Sequence, residues 1–319
     1  MLGPLTVALV LGMMLRRAPL VRSIPVDTVL WLSREVLRFS VVLTAVRLDG
    51  VLLARAGAAP IVVAVSSIVA GFVTFAVLLR VMGVPAQLGA LLAIGTSVCG
   101  AAAITAARPV VKPSDEDAHV SIAIVSVLGA LFSVGLIVAL SLGWIPLELY
   151  GLVAGGALHE VAHVMAAATA APSVAQVATV TKLARVALLP VALMATPWVA
   201  PREGVTFRRA PFRIPGMVIG FFLVSIVATG LNQLSLGTSY APAWQAAVKF
   251  VVQGATILMG ASMASIGVLV DWKSLRRAGA RTLFVAVLGA LILGAAVYVA
   301  AALSKNPAPQ AGVAATQSR

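Results

Sequence analysis

Long apolar stretches follow one another along this chain, and short polar connections separate them. An α-helix needs about 20 apolar residues to cross a bilayer, and counting stretches of that length predicts about ten helices. They fall near residues 2–15, 27–47, 58–82, 86–110, 117–143, 146–170, 174–199, 213–232, 242–269 and 277–303. The pattern therefore predicts an all-α polytopic membrane protein with about ten transmembrane helices.

Two of these predicted helices are interrupted by glycine and small polar residues. The first interruption is Gly95–Gly100 and the second is Gly260–Ser265. Within a bilayer, an unwound backbone is tolerated only where it is buried in protein or lines a cavity. Paired breaks of this kind mark the solute site of many secondary transporters. We therefore predict a substrate site built by these residues of the two breaks: Gly95, Thr96, Ser97, Cys99, Gly100, Gly260, Ser262 and Ser265.

Similar landmarks recur in the same order in the two halves of the chain. An arginine lies near the middle of a predicted helix in each half, at Arg38 and at Arg185, and each half then contains one of the two breaks. Each half has five spans, an odd number, so the second copy is inverted relative to the first. The predicted organisation is a five-helix repeat at 1–143, an inverted five-helix repeat at 146–303 and a disordered external tail at 304–319.

Composition and charge exclude a soluble protein and predict an orientation. The chain is 61% hydrophobic and 10% charged, whereas a soluble chain carries about 25% charged residues. Basic residues concentrate in alternate connections, and the positive-inside rule puts the richer side in the cytoplasm and both termini outside a bacterial inner membrane. The basic residues are not interleaved with aromatic ones, so a nucleic-acid partner is not expected. The richer side holds Arg16, Arg17, Arg22, Arg80, Arg202, Arg208, Arg209, Arg213, Lys273, Arg276, Arg277 and Arg281, and the other side holds Arg47, Arg55, Arg108, Lys112, Lys305, Arg319 and the acidic Asp115, Glu116 and Asp117.

Charged residues also fall inside predicted helices, where burial is costly and marks a functional candidate. Arg38, Lys182 and Arg185 are the strongest of these. Basic residues outnumber buried acids, and a half-helix that begins after a break turns its N-terminal dipole towards an anion. We therefore predict that these three side chains bind an anionic substrate. The alternative is structural, with each cation paired to Glu35, to Glu160 or to backbone carbonyls.

The segment His159-Glu160-Val161-Ala162-His163 matches the H-E-x-x-H motif of zinc proteases. Two histidines four apart on one helix face can hold zinc, and the glutamate can activate a zinc-bound water. A third ligand is required, and the next acids, Glu203 and Asp271, fall in loops or at helix ends. An intramembrane zinc protease therefore stays the alternative. The preferred role of His159, Glu160 and His163 is a buried titratable cluster for coupling, and no metal or other cofactor is predicted.

Five segments carry a resemblance to a known family. They are Gly95–Ile104, Pro109–Lys112, Leu158–Val164, Thr181–Val186 and Ala264–Gly267. In this order, and from about residue 2 to 300, the chain resembles the YeiH-like sulfate exporter family. The resemblance implies the fold of bile-acid symporters and sodium/proton antiporters, in which two broken helices cross, and a sulfur-containing anion as solute. Members of that family commonly carry glutamine where this chain has His163, and glutamine is not a zinc ligand.

The residues and the resemblance together predict a secondary active transporter rather than an enzyme. Its expected solute is a small anion, sulfate or a related sulfur oxyanion or organosulfonate, and transport is coupled to a gradient of protons or sodium ions. A core domain with the two crossing helices would move against a second domain to give alternating access. The lipid bilayer is the expected surrounding, and a homodimer is compatible with this plan. A channel or a sensor is left open by the sequence.

Overall fold

The computed structural model describes residues 4–47, 50–51, 57–199, 216–235, 240–270 and 272–304. Within these ranges the chain is helical and contains no β-strand. Five helices are long and apolar enough to cross a bilayer. The pair Pro172–Ala187 and Leu189–Val199, bent by 60°, makes a sixth if it counts as one span. The all-α membrane class is therefore confirmed, and the ten-helix inverted repeat is not.

The helices are numbered here in chain order. They are α1 Pro4–Leu15, α2 Pro19–Arg22, α3 Val26–Trp31, α4 Leu37–Thr44, α5 Ala58–Met82, α6 Ala86–Ser97, α7 Ala101–Val111, α8 Asp115–Ser141, α9 Leu147–Ala157, α10 Val161–Ala168, α11 Ala175–Ala187, α12 Leu189–Val199, α13 Gly216–Ser235, α14 Ala241–Leu269 and α15 Trp272–Leu303. A π-helical turn, Leu32–Val36, joins α3 to α4, and the 3₁₀ segments Ala45–Arg47 and Pro172–Val174 follow α4 and precede α11. Helical backbone therefore runs from Val26 to Arg47, close to the predicted helix 27–47.

Helices α6 and α7 form a hairpin that returns to the face where it began. Gln87, near the start of α6, donates from Nε2 to the carbonyl oxygen of Lys112, just after α7, at 3.1 Å. In one straight helix these two residues would lie more than about 35 Å apart. The chain turns at Val98–Gly100, where Gly100 has a φ of +68°, a conformation that favours glycine. We call this element the first hairpin.

Helices α9 and α10 form a second hairpin. The hydroxyl of Tyr150, at the start of α9, donates to the carbonyl oxygen of Ala167, at the end of α10, at 3.0 Å. A straight helix would separate these residues by about 25 Å. The helix stops at Leu158 and resumes at Val161, because Leu158 and Glu160 adopt extended backbone angles. The predicted spans 86–110 and 146–170 are therefore wrong as crossings, since each folds back on itself.

The predicted break at Gly260–Ser265 is also wrong, because α14 is one uninterrupted helix through this segment. Its small residues serve helix packing instead. A Cβ atom on Gly12 of α1 would lie 2.1 Å from the carbonyl oxygen of Ala264, and one on Gly267 would lie 2.1 Å from that of Leu9. Small residues of this kind let two helix backbones approach closely. A second turn between two half-helices lies at Leu158–Glu160 instead.

The helices pack in two layers. The scaffold layer consists of α1, the run Val26–Arg47, α13 and α14, which pack mainly on one another. The core layer consists of α5, the two hairpins, α8, α11, α12 and α15. Helix α14, which the sequence placed in the core domain, belongs to the scaffold layer. Fewer contacts join the two layers than hold each one together.

The hairpins enter the core layer from opposite faces. Helix α8 has 27 residues and connects the base of the first hairpin to the base of the second, so it crosses the full thickness of a bilayer at about 1.5 Å per residue. Asp115, at the start of α8, bonds to both Arg34 and Arg108. Arg34 follows the start of the Val26–Arg47 run, so the first hairpin opens on the face where that run begins. The predicted placement of Arg108, Lys112 and Asp115–Asp117 on the other face is wrong, because it counted the first hairpin as a crossing.

Several predictions cannot be compared with the structure. The predicted repeats at 1–143 and 146–303 meet at the turn between α8 and α9, and their relation stays a prediction. The following lie outside the described residues: Arg55, Arg202, Glu203, Arg208, Arg209, Arg213, Asp271 and residues 305–319 of the predicted tail, with Lys305 and Arg319.

Candidate substrate site at the hairpin tips

The tips of the two hairpins meet in the middle of the core layer, and Lys182 of α11 joins them. Its ammonium group donates to the carbonyl oxygens of Val98 at 2.7 Å, Leu158 at 2.7 Å and His159 at 2.6 Å. The side chain is fully buried. A lysine ammonium has three donors, so all of them are used within the protein.

Arg185, one helical turn further along α11, repeats this arrangement. Its Nε donates to Ser97 at 3.2 Å and its Nη2 donates to Thr96 at 2.9 Å. Its Nη1 donates to Leu158 at 2.9 Å and to Gly155 at 3.3 Å. All four acceptors are backbone carbonyl oxygens, and the guanidinium is fully buried.

Apart from that of His159, which lies in the second break, these carbonyls belong to the C-terminal ends of α6 and α9. A helix end carries unpaired carbonyls and a partial negative charge. Lys182 and Arg185 therefore supply the hydrogen bonds and the positive charge that two helix ends need inside a membrane protein. Their observed contacts match the structural alternative considered from the sequence, with backbone carbonyls as the partners.

Glu160 takes the complementary place at the helix beginnings. It directly precedes α10, and its side chain packs on Gly100, which directly precedes α7: a Cβ atom on that glycine would lie 2.5 Å from Cγ of Glu160. Its carboxyl group therefore lies at the positive ends of two half-helices. Ser126 of α8 donates to Oε1 at 2.6 Å. The other carboxyl oxygen is buried and has no hydrogen-bond partner among the described residues.

The two histidines of the H-E-x-x-H segment do not share a helix face. Helix α10 begins at Val161, so His159 lies in the break and His163 lies in the helix. The ring of His159 meets the ring of Phe132 edge-on at 5.9 Å, and neither of its nitrogens is hydrogen-bonded within the described part of the chain. His163 approaches Glu160 to 3.9 Å. No three His, Cys, Asp or Glu residues cluster as metal ligands anywhere in the described ranges, so the zinc alternative gains no support.

A cavity of 420 Å³ lies between the two layers, where α7 and α10 begin; we call it the central cavity. Cys99, Ala101 and Ala102 line it from the first hairpin, and Glu160, Val161 and Ala162 line it from the second. The scaffold layer supplies an opposing wall that is mostly apolar. Among its lining residues the charged ones are Glu160 and Arg47.

The predicted site residues of the first break lie together at the tip. Thr96 and Ser97 are fully buried, and their hydroxyls have no hydrogen-bond partner among the residues described. Gly95 packs where α6 and α7 converge, since a Cβ atom there would lie 2.8 Å from Ile104. Cys99 and Gly100 form the turn itself.

The remaining predicted residues lie elsewhere. Arg38 pairs with Glu35 at 2.6 Å on the surface and lines a separate cavity of 440 Å³ near the base of the first hairpin. Gly260, Ser262 and Ser265 lie within α14, and the two serine hydroxyls donate to carbonyls of their own helix at 2.9 Å.

Sequence reasoning missed two contributions from the scaffold layer. Met259 and Met263 of α14 line the central cavity, and their spacing of four residues on one helix face was available as a signal. Arg47 also lines it. The sequence placed Arg47 in an outer connection, where an arginine is ordinarily solvated, and so did not indicate that it lines this cavity.

Comparison with known proteins agrees with the membrane architecture. Residues 1–286 match the family model described as Conserved hypothetical protein 698. A UPF0324 membrane protein of Bacillus anthracis is 34% identical over 310 residues, which cover 93% of this chain and 86% of that protein. Another from Oceanobacillus iheyensis is 32% identical over 300 residues, covering 92% and 85%, and one from Yersinia pestis is 31% identical over 302 residues, covering 90% and 81%. No solved structure matches. The chain therefore belongs to the Conserved hypothetical protein 698 family, the UPF0324 membrane proteins of many bacteria.

Proposed function

We propose that this protein is a secondary active transporter of a small anion. The observation that carries the proposal is the central cavity, which lies between two loosely joined layers and receives the beginnings of two half-helices. Solute sites of secondary transporters are built in this way, from discontinuous helices near the bilayer midplane. Sulfate and organosulfonates are the solutes that the family resemblance suggests.

The polarity of the cavity supports an anion. Helices α7 and α10 both begin there, so their first backbone N–H groups and the positive ends of their dipoles face the same space. The opposite, negative ends of α6 and α9 are covered by Lys182 and Arg185. Those two cations therefore support anion binding by holding the hairpins in place rather than by direct contact with the anion.

Glu160 is the proposed coupling group. It is the acidic residue of the cavity wall, and its carboxyl oxygen that accepts no hydrogen bond within the described residues is buried beside the helix beginnings that would receive the anion. An ionised carboxyl would repel an anion there, whereas a protonated one would not. Binding of the anion would therefore accompany uptake of a proton, and His163 at 3.9 Å is placed to relay it. Sodium is the alternative coupling ion.

Alternating access would come from movement of the core layer against the scaffold layer. Asp115 of the core layer bonds to Arg34 of the scaffold layer at the face where the first hairpin opens. This exposed ion pair is worth at most about 1 kcal/mol, so it can break and re-form during transport. A movement of this kind would carry the cavity between the two faces.

The distribution of basic residues supports an orientation. Arg16, Arg17, Arg22, Arg34, Arg38, Arg80, Arg108, Lys112 and Arg281 lie towards the first-hairpin face, whereas Arg47 and Lys249 are the described basic residues towards the other. The first-hairpin face would therefore be cytoplasmic. The N-terminal end of α1 and the C-terminal end of α15 would then lie outside a bacterial inner membrane.

Flux into proteoliposomes tests the proposal. We expect wild-type protein to move radiolabelled sulfate or a short alkanesulfonate, faster when a pH gradient is imposed. Glu160→Gln should make the flux independent of that gradient, because the amide cannot take up a proton. Glu35→Gln is the matched control, since Glu35 is exposed and contacts Arg38 away from the cavity. Absence of flux for every anion, or an unaltered gradient response in Glu160→Gln, would contradict the transport or the coupling role respectively.

A further inference from the structure

Arg47 connects the central cavity to a second one. A cavity of 560 Å³ lies between α13 and α14 towards the second-hairpin face, and we call it the vestibule. Arg47 and Val252 line both the vestibule and the central cavity. Arg47 makes no hydrogen bond or ion pair with another residue in the described ranges. No described residue therefore competes with a ligand for its guanidinium.

The vestibule has the polarity of an entrance for anions. Lys249 lines it together with Arg47, and neither an aspartate nor a glutamate is among its described lining residues. The amides of Asn232, Gln245 and Gln253 add polar surface. Two cations in one concave space raise the local concentration of an anion and speed its entry.

The central cavity offers few donors beyond Arg47. Three threonines line it, Thr44, Thr169 and Thr256. Each hydroxyl donates to a carbonyl oxygen of its own helix, at 2.6, 2.7 and 2.8 Å respectively. A hydroxyl has one hydrogen to donate, so these groups turn only acceptor lone pairs towards the cavity. The donors left for an anion are the Arg47 guanidinium and the N–H groups where α7 and α10 begin.

The remaining wall is apolar. It includes Leu37, Val41, Leu183, Phe221, Met259 and Met263. A dehydrated divalent ion needs many donors around it, because an uncompensated charge is costly to bury. This wall would leave much of a sulfate ion without partners. An apolar chain of a few carbons would gain from the same surface.

We propose that the central cavity binds an organic monoanion with an apolar body, its charged head held by Arg47 together with the N–H groups where α7 and α10 begin, and its carbon chain along the apolar wall. Inorganic sulfate is then a poor ligand. The inference rests on the proposed transport function and narrows its substrate class. Arg47 then has the recognition role that was predicted from the sequence for Arg38, Lys182 and Arg185.

Calorimetric titration of the protein in lipid nanodiscs tests the class of ligand. The probes are sodium sulfate, the methane-, butane- and hexanesulfonates, and 1-hexanol as the neutral chain of equal length. We expect affinity to rise roughly three- to fourfold per methylene, the factor for burying one CH₂ group, and sulfate and hexanol to bind far more weakly than hexanesulfonate. Equal affinity for sulfate and hexanesulfonate would overturn the proposal, as would equal affinity for hexanol, which would indicate partition into lipid.

Variants test the residue. Arg47→Gln should lower the affinity for hexanesulfonate roughly tenfold or more, because it removes a charged hydrogen bond, and Arg47→Lys should restore part of it. Arg38→Gln is the matched control and should leave affinity unchanged, since Arg38 lies in the other cavity. Unchanged affinity in Arg47→Gln would remove this assignment.

The two proposals fail differently. Sulfate flux in proteoliposomes without any dependence on chain length would leave anion transport standing and overturn the organic-anion class. Absence of both binding and flux for all of these anions would overturn both.

Discussion

Two segments with similar composition have different structures in this protein. Gly95–Gly100 and Gly260–Ser265 are both rich in glycine and serine and both lie within apolar segments. The first leaves the helix and turns back, whereas the second continues as α14. Composition alone therefore does not decide whether an apolar helix breaks.

The two segments differ in whether a buried side chain donates hydrogen bonds to the carbonyls that a helix break leaves unpaired. At the first tip, Lys182 donates to the carbonyl oxygen of Val98, and Arg185 donates to those of Thr96 and Ser97. In α14 no such cation is bonded to the segment within the described ranges, and the serine hydroxyls bond back to their own helix. Inside a bilayer an unpaired carbonyl costs several kcal/mol. At both hairpin tips α11 supplies a buried cation to the freed carbonyls.

The largest effect is expected when such a cation is removed. Arg185→Met should leave the buried carbonyls of Thr96, Ser97 and Gly155 without their side-chain donor, at a cost of about 1–3 kcal/mol each, while Leu158 keeps its bond to Lys182. We expect little folded protein, seen as loss of the monodisperse peak in size-exclusion chromatography and a large drop in Tm. Arg38→Met is the control and should stay near wild type, because Arg38 forms an exposed ion pair. A stable Arg185→Met protein that has lost only anion binding would instead return Arg185 to the substrate site.

A smaller effect is expected when leucine replaces glycine in the two segments, and it should appear at Gly95 but not at Gly260. Gly95→Leu must displace Ile104, 2.8 Å from the position of its Cβ atom, and Val125 at 3.3 Å. Overpacking of this kind costs about 1–3 kcal/mol and should separate the arms of the first hairpin, so flux should be lost. Gly260→Leu has no described atom within 4 Å of its Cβ position and improves helix propensity.

Thermal unfolding and anion flux, measured for both variants, test whether the two glycines differ in this way. We expect a lowered Tm and no flux for Gly95→Leu, and wild-type values for Gly260→Leu. Equal damage in the two variants would show that Gly260 has a role at the site that its place in α14 does not explain.

The hydropathy pattern predicted most helix positions but not the course of the chain. It placed α8 and α14 within a few residues and identified the first break. It could not reveal that 86–110 returns to its starting face, because a hairpin of two half-helices has the same apolar length as one crossing. The contact between Gln87 and Lys112 that shows the return spans 25 residues and leaves no local signal.

The candidate site was also predictable only in part. His159, Glu160, Lys182 and Arg185 were identifiable because charged residues are rare within apolar segments. Their partners were not, since they are backbone carbonyls, which every residue carries. Arg47 was missed because its position depends on where the scaffold layer meets the core layer.

The smallest effect is expected from the two serines of α14, Ser262 and Ser265. Ser262→Ala and Ser265→Ala remove hydroxyls that bond only to carbonyls of their own helix in the described structure, so flux should change less than about twofold, within the range of neutral substitutions. Ser126→Ala is the matched positive control. It removes the donor to Glu160, a hydrogen bond to a carboxyl group worth about 1.5–3 kcal/mol if the group is ionised, and should alter the pH dependence of flux. Initial rates at several pH values separate these outcomes. A large loss in Ser262→Ala would bring α14 back to the substrate, and the contrast between the two segments would then lie in backbone geometry alone.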